Sequence, residues 1–210
     1  MTHAPDRVRS LLDLGTGIGS VGLTLAWRFE EATLTAIEVQ PGSFGLLLAN
    51  AWANGVEARV RAIHGDLRTS LPPGEFDLVS GSPPYFDVKA GIVSADPQRA
   101  AARFELHGDV GDYCRAAASA IARGGRFVFC FPAGQRGRAE AACRAAGIPI
   151  LASRDVIPRH GVIPLISLFV CSRPDESPGA PLLEPPFVVR DENGDHTAEM
   201  HQVRSLIGMR

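Results

Sequence analysis

The sequence predicts an α/β fold, a mainly parallel sheet with helices on both of its faces. Three observations carry this. Strand and helix patterns alternate from near the start, which parallel strands with crossover helices require. The 210 residues, 45% of them hydrophobic, suffice for one substantial core and suit one domain better than two. Near the end two strand patterns are separated only by residues 158–164, a span that fits a hairpin and not a helical crossover.

Each element has a local reason. Ser10 to Leu14 is a short apolar strand, and a glycine-spaced loop leads from it into a helix over Ser20 to Phe29. Thr33 to Val39 reads as the second strand. Ser43 to Asn54 reads as a helix closed by Asn54-Gly55, a C-cap pair. Ala58 to Ile63 is the third strand and Gly65-Asp66-Leu67 its turn; after Pro72-Pro73-Gly74 the fourth strand runs from Phe76 to Ser80. Residues 86–108 lack clean periodicity, and a connection of that length inside a compact domain is more often a functional lid than an accident. A helix over Asp109 to Ala122 then leads through Gly124-Gly125 to a strand over Arg126 to Phe131. Gln135 to Ala146 is a helix stopped by Gly147, and Ile150 to Ile157 with Leu165 to Cys171 form the closing hairpin. The expected domain covers 1–172. Residues 173–210 are a Pro-rich linker and a tail, packed on that domain or extending from it, in which Phe187-Val188-Val189 reads as an edge strand.

Composition bounds the partners. The net charge is -2, so no polyanion-binding surface is advertised globally; yet twenty of the twenty-one basic residues are Arg, the better fork for phosphate. Nucleic-acid binding would need a local patch. Cys114, Cys130, Cys143 and Cys171 form no Cys-x-x-Cys pair and no cluster with histidine, so a structural metal is not expected. His64, His107 and His160 have no partner at a recognisable spacing and read as structural. Met1 to Arg9 lack the apolar stretch of a signal peptide, and no run approaches the roughly 20 apolar residues of a membrane span. The expectation is a soluble cytoplasmic protein without a membrane partner.

Two constellations carry chemistry. In Asp13-Leu14-Gly15-Thr16-Gly17-Ile18-Gly19, Gly15, Gly17 and Gly19 permit a tight turn and close approach of a nucleotide cofactor, with Asp13 ending the strand beneath. Glu38, at the end of the second strand, can accept from both ribose hydroxyls. Asp66 can accept from an adenine amino group while Leu67 supplies an apolar wall. Nothing resembles Gly-x-x-x-x-Gly-Lys-Ser/Thr, so a nucleoside triphosphate is not expected. The second constellation is Ser82-Pro83-Pro84-Tyr85-Phe86 after the fourth strand. There a polar side chain and a rigid backbone carbonyl could accept from the two N–H groups of a planar amine, while the Tyr85 ring stacks on it.

With these residues in place, the chain resembles class I methyltransferases that modify amino groups using S-adenosylmethionine, and more closely the tRNA adenine N6-methyltransferases acting on the anticodon loop of valine tRNA. The resemblance spans Leu11 to about Arg173. It rests on the glycine loop, Glu38, Gly65-Asp66, Pro83-Pro84-Tyr85-Phe86, and Pro97-Gln98-Arg99 followed by Ala102-Arg103 and Glu105; Pro185 to Asp191 with Gly194 also looks like the end of such proteins. It implies a Rossmann-like class I methyltransferase fold: a seven-stranded, mainly parallel sheet with an antiparallel last strand. It implies Ser82, Pro83, Pro84 and Tyr85 at the transfer site. Phe86, Arg99 and Arg103 would lie toward a tRNA, the two arginines four apart as a phosphate clamp. Two departures stand out. The family has Asn, sometimes Asp, where this chain has Ser82, and Ser-Pro-Pro-Tyr is similar to the motif of cytosine N4-methyltransferases of DNA. The family also carries an extra segment before the glycine loop, where about ten residues precede it here. A cytosine N4-methyltransferase, a protein glutamine N5-methyltransferase and a non-catalytic cofactor-binding relic are the alternatives.

Overall fold

The computed structural model describes residues 3, 5, 7–87, 98, 100, 103–176 and 179–209. Its strands are β1 (Ser10–Leu14), β2 (Thr33–Glu38), β3 (Val60–His64), β4 (Phe76–Gly81), β5 (Ile121–Pro132), β6 (Ile150–Ile157), β7 (Ile166–Cys171), β8 (Leu182–Leu183) and β9 (Phe187–Val188). Its helices are α1 (Ser20–Arg28), α2 (Pro41–Ala53), α3 (Val110–Ala120), α4 (Arg136–Ala145) and α5 (Ala198–Leu206). The sheet order is β3-β2-β1-β4-β5-β7-β6-β8, and β9 also pairs with β6. β7 runs antiparallel to both β5 and β6, while the other pairings are parallel. The seven expected strands are thus present, with two two-residue strands added along the β6 edge. The Phe187-Val188 pair is the edge strand expected of that run.

The core follows the pleat. Leu12, Leu14, Val79, Phe127, Phe129 and Phe131 point to the face covered by α3 and α4, whereas Leu11, Leu34 and Leu78 face α1 and α2. On the first face Phe127 stacks on Phe129 at 4.9 Å and Phe129 on Phe169 at 4.8 Å. This pins the antiparallel β7 to the parallel half. Cys114, Cys143 and Cys171 are free and buried there as small core residues, with Sγ–Sγ separations of 3.8 and 3.9 Å.

Two elements differ from expectation. β5 begins at Ile121, because the backbone turns extended directly after Ala120 and pairs with β4 through an irregular register between Phe76 and Leu78. A Cβ at Gly125 would lie 2.9 Å from the Phe76 carbonyl oxygen, so only glycine lets the strands close there. The second difference is α5, capped by the Thr197 hydroxyl, which accepts from the Met200 N–H at 3.2 Å. Its position after Thr197 was not read from the sequence, because Met200 stands where a capping box would place Glu or Gln and the helix buries no residue. Both terminal guanidinium nitrogens of Arg154 in β6 donate to Glu199, at 2.6 and 2.8 Å, and a Cβ at Gly208 would stand 2.8 Å from the Trp27 ring of α1. The tail therefore packs on the sheet and on α1.

Candidate active site

β1 sits at the switch point of the sheet, with β2 on one side and β4 on the other, and open α/β sheets bind ligands beyond the carboxyl ends of such strands. A cleft of about 620 Å3 opens there, within the usual size for small-ligand sites. Gly15, Gly17, Glu38, Leu67, Ser82 and Pro84 lie on its wall. The structure thus brings the glycine loop, the strand-end acid and the Ser-Pro-Pro loop to one cavity. Asp13, Gly19, Asp66, Pro83, Tyr85, Phe86 and Arg103 are not on that wall, and Arg99 lies outside the described residues.

Asp13 is built into the protein beneath the loop. Its Oδ2 accepts from the Thr16 hydroxyl at 2.6 Å and the Gly22 N–H at 3.0 Å, and its Oδ1 from the Ser80 hydroxyl at 2.7 Å. Complete burial pushes its carboxyl up against the pull of those three donors. The carboxylate ties β1, the loop, α1 and β4 into one unit. Gly15, Gly17 and Gly19 have φ of 60°, 60° and 92°, a region that L side chains rarely adopt. They are glycine for different reasons. A Cβ at Gly17 would meet open space, one at Gly19 would strike Leu23, and one at Gly15 would stand 2.0 Å from the Tyr113 hydroxyl oxygen.

Glu38 is 4% exposed, with Oε2 accepting from the Gly17 N–H at 2.7 Å and Oε1 from the Gln40 N–H at 2.8 Å. Each oxygen keeps a lone pair, which is what two ribose hydroxyls need. With the open space at Gly17 and the apolar wall of Ile37 and Leu67, these residues fit an adenosine-bearing cofactor. Asp66 is occupied differently. Arg68 forks onto its carboxylate, with Nε at 2.9 and 3.1 Å and Nη2 at 2.5 Å, and holds it below the usual carboxylate range.

At the other end of the cleft Ser82 is exposed and Pro83 buried. Tyr85 is held from several directions. Its ring meets Phe131 edge-on at 5.9 Å, its hydroxyl lies 3.4 Å from Cys130 Sγ, and its carbonyl accepts from Gln135 Nε2 at 3.0 Å. Burial, with a contribution from Cys130, pushes its phenol up to about 12. The Arg103 carbonyl accepts from the N–H groups of both Tyr85 and Phe86, at 3.1 and 3.0 Å, and the Arg103 guanidinium lies 5.9 Å from the Phe86 ring centre. The segment around Phe104 is thereby docked on the Pro-Pro-Tyr loop.

Sequence reasoning missed Tyr113 as a site residue. It lies in the first turn and a half of α3, buried between the two loops, where a Cβ at Gly81 would also come 2.9 Å from its ring. Burial raises its phenol, and the acids Glu38 and Asp13 add to the effect. Its only sequence signal is an aromatic residue just after the Asp109/Asp112 capping box. His107, expected to be structural, and Gln98 also lie on the cleft wall; Gln98 Nε2 donates to Ser43 Oγ of α2 at 3.1 Å. Arg136 and Arg138 are paired with Asp155 and Glu105, both at 2.6 Å. No described helix is long and apolar enough to cross a membrane, and no group of three or more metal-ligating side chains occurs among the described residues.

Solved structures share this fold. A predicted O-methyltransferase from Agrobacterium tumefaciens superposes over 99% of this chain and 93% of its own, with a TM-score of 0.76 at 19% identity. A ribosomal protein L11 methylase from Lactobacillus delbrueckii gives 0.57 over 80% of this chain and 71% of its own, at 16% identity. Among curated sequences, the tRNA1(Val) (adenine(37)-N6)-methyltransferase of Glaesserella parasuis is 30% identical over 128 residues, 61% of this chain and 53% of its own. The release factor glutamine methyltransferase of Koribacter versatilis is 38% identical over 107 residues, 50% of this chain and 36% of its own. The chain spans about half or less of the length of these curated relatives. The family model described as methyltransferase small domain matches residues 1–107. With the loop, the strand-end acid and the fold in agreement, the chain belongs to the methyltransferase small domain family of S-adenosylmethionine-dependent enzymes.

Proposed function

We propose that this protein methylates the exocyclic amino nitrogen of a nucleobase, adenine N6 in a structured RNA such as tRNA. The observation that supports the reading is the position of Ser82 and Pro84 on the same cleft wall as Gly17 and Glu38, as an amine-binding loop beside a cofactor site would require. Gly15, Gly17, Glu38 and Leu67 would hold S-adenosylmethionine, which when bound supplies an electrophilic methyl group on a sulfonium sulfur. Ser82 Oγ and the Pro83 carbonyl accept from the two N–H groups of the incoming amine, favouring a tetrahedral nitrogen with a localised lone pair. The Tyr85 ring orients the base by stacking. The nitrogen that receives the methyl group would pass its extra proton to water. Tyr85, with its phenol at about 12, stays neutral and provides no base.

A second reading, transfer to a protein glutamine, is favoured by the rim. The turn between β6 and β7 stands at the same end of the sheet, where the Leu165 carbonyl accepts from the Ala133 N–H at 3.1 Å. Ile163 and Leu165 are 84% and 64% exposed, and Arg68, Arg136 and Arg138 are each paired with an acid. Radiolabelled methyl transfer to RNA, DNA and protein fractions, run side by side, separates the readings. Label in RNA recovered as N6-methyladenine supports the first and label in protein the second; cofactor binding with no label in any fraction identifies a relic. Within the first reading, Tyr85→Ala should cost roughly 1–3 kcal/mol of transition-state stabilisation and Ser82→Ala less. Ser82→Asn should retain or raise turnover. Full activity in both Ser82→Ala and Tyr85→Ala removes the amine from this loop.

A further inference from the structure

Cys130, on β5, lies 3.4 Å from Ser82 Oγ and 3.4 Å from Tyr85 Oη, so one sulfur touches the two hydroxyls that flank the Pro-Pro pair. It is the one cysteine of the four that is not buried, and on its strand it points away from the Phe127, Phe129 and Phe131 face. We propose that Cys130 is a positioning residue for the methyl acceptor, its sulfur accepting hydrogen bonds from the Ser82 and Tyr85 hydroxyls so that the Ser82 oxygen presents lone pairs to the amine. This rests on the amino-methyltransferase reading above.

The argument is one of donors and acceptors. An amine arriving at the loop brings N–H groups and needs acceptors, but a serine hydroxyl is both donor and acceptor and can turn its own proton toward the amine, donor against donor. An amide carbonyl offers lone pairs only, whereas the Ser82 oxygen carries a proton of its own. A thiol sulfur is a weak acceptor with more than one lone pair, and a hydroxyl is a stronger donor than S–H, which directs both O–H groups at the sulfur. Ser82 is also shorter than an amide side chain, and the sulfur on the neighbouring strand backs it from one side. Tyr85 gains a fourth restraint beyond Phe131, Gln135 and Arg103, all of them supplied by other segments. The contact follows from the β4–β5 register, in which Gly81, the last residue of β4, pairs with Phe129, so that Ser82 just after β4 stands beside Cys130.

The test is steady-state methyl transfer to the labelled fraction, with cofactor affinity by calorimetry and thermal unfolding measured on Cys130→Ala, Cys130→Ser and Cys130→Ala/Ser82→Ala. Expected is a fall in kcat of about tenfold for Cys130→Ala, about 1.4 kcal/mol, with cofactor affinity and melting unchanged. Cys130→Ser, which restores an acceptor, should recover most of it. Removing Ser82 in the Cys130→Ala background should add little, since the two act as one unit. Equal activity of Cys130→Ala and wild type, failure of Cys130→Ser to recover in a folded protein, or losses that multiply in the double variant would each overturn the assignment. A wild-type protein that labels no fraction removes the acceptor and both readings with it; an active wild type matched by Cys130→Ala removes this one alone.

Discussion

The two ends of the cleft are built on different principles. At the cofactor end the key contacts are local or run between adjacent parallel strands: Asp13 to Thr16 and Gly22, and Glu38 to Gly17 and Gln40. Most are made to backbone N–H groups, so any side chain could supply the partner and only the turn is specified. At the acceptor end the contacts join segments far apart in sequence, and apart from Gln135, which donates to the Tyr85 backbone carbonyl, they run between side chains: Ser82 and Tyr85 to Cys130, and Arg138 to Glu105. The cofactor end is a motif; the acceptor end is an assembly. Substitutions should therefore act on binding and stability at the first and on orientation at the second.

The largest effect is expected where the two ends meet, at Gly15 and Tyr113. Gly15→Ala and Gly17→Ala place an L residue at the same φ of 60°, which costs on the order of 1–3 kcal/mol in either case. Only at Gly15 does the new Cβ also overlap the Tyr113 hydroxyl. Gly15→Ala should be the more destabilising of the two in denaturant unfolding and should abolish measurable cofactor binding. Tyr113→Phe in the Gly15→Ala background should return part of the lost stability. Equal destabilisation by the two alanines would show that Tyr113 yields freely and does not set the spacing between the loops.

Next is Glu38→Ala, expected to weaken S-adenosylmethionine binding by roughly 1–3 kcal/mol through loss of a charged acceptor for two hydroxyls. The Gly17 and Gln40 N–H groups also lose their partner, so a small loss of stability should accompany it. Calorimetry finding wild-type affinity in a folded Glu38→Ala protein would take Glu38 out of the site. At the acceptor end, Arg103→Ala should leave cofactor affinity alone and weaken RNA binding, with the dependence of log affinity on log salt shallower by about one unit. Coincident slopes for wild type and variant would remove Arg103 from phosphate contact.

This division also explains what the sequence disclosed. The strands and helices of the first half were legible to within two residues, helped by turn residues whose role is local: Gly19 before α1, Gly55 after α2, Gly74 before β4. The start of β5 was not, because Gly124-Gly125 serves either as a helix stop or as a bulge, and only pairing with β4 chooses the bulge. Gly15, Gly17 and Glu38, which line the cleft, were visible for the same local reason. Tyr113, Cys130 and Gln135 were not, since little at those positions marks them until the docking of α3 brings Tyr113 to the cleft and the fold brings Cys130 and Gln135 against Ser82 and Tyr85.

The smallest effect, and the sharpest test of the boundary between the two ends, concerns Asp66 and Arg68. Asp66 fits the place of an adenine acceptor by sequence, yet its carboxylate is forked by Arg68 and lies off the cleft wall, while Gly65 and Leu67 on either side are on it. The pair is partly exposed, 43% for Arg68 and 22% for Asp66, so solvent screening limits it to less than about 1 kcal/mol of stability. The sign of its pH dependence follows from the lowered carboxyl of Asp66. The contribution is complete above the ordinary value of 3.8 and is lost as pH falls from there through the depressed folded value, where the proton that Arg68 excludes finally binds. Arg68→Ala should therefore lie slightly below wild type in stability at pH 7, with the gap closing in acid. Its effect on the cofactor decides the role of Asp66. If the carboxylate is an adenine acceptor that Arg68 holds in reserve, Arg68→Ala should tighten S-adenosylmethionine binding and Asp66→Ala should weaken it, by less than Glu38→Ala does. Unchanged affinity in both variants would make the ion pair a surface clasp of the turn after β3 and leave the adenine to the apolar wall of Ile37 and Leu67.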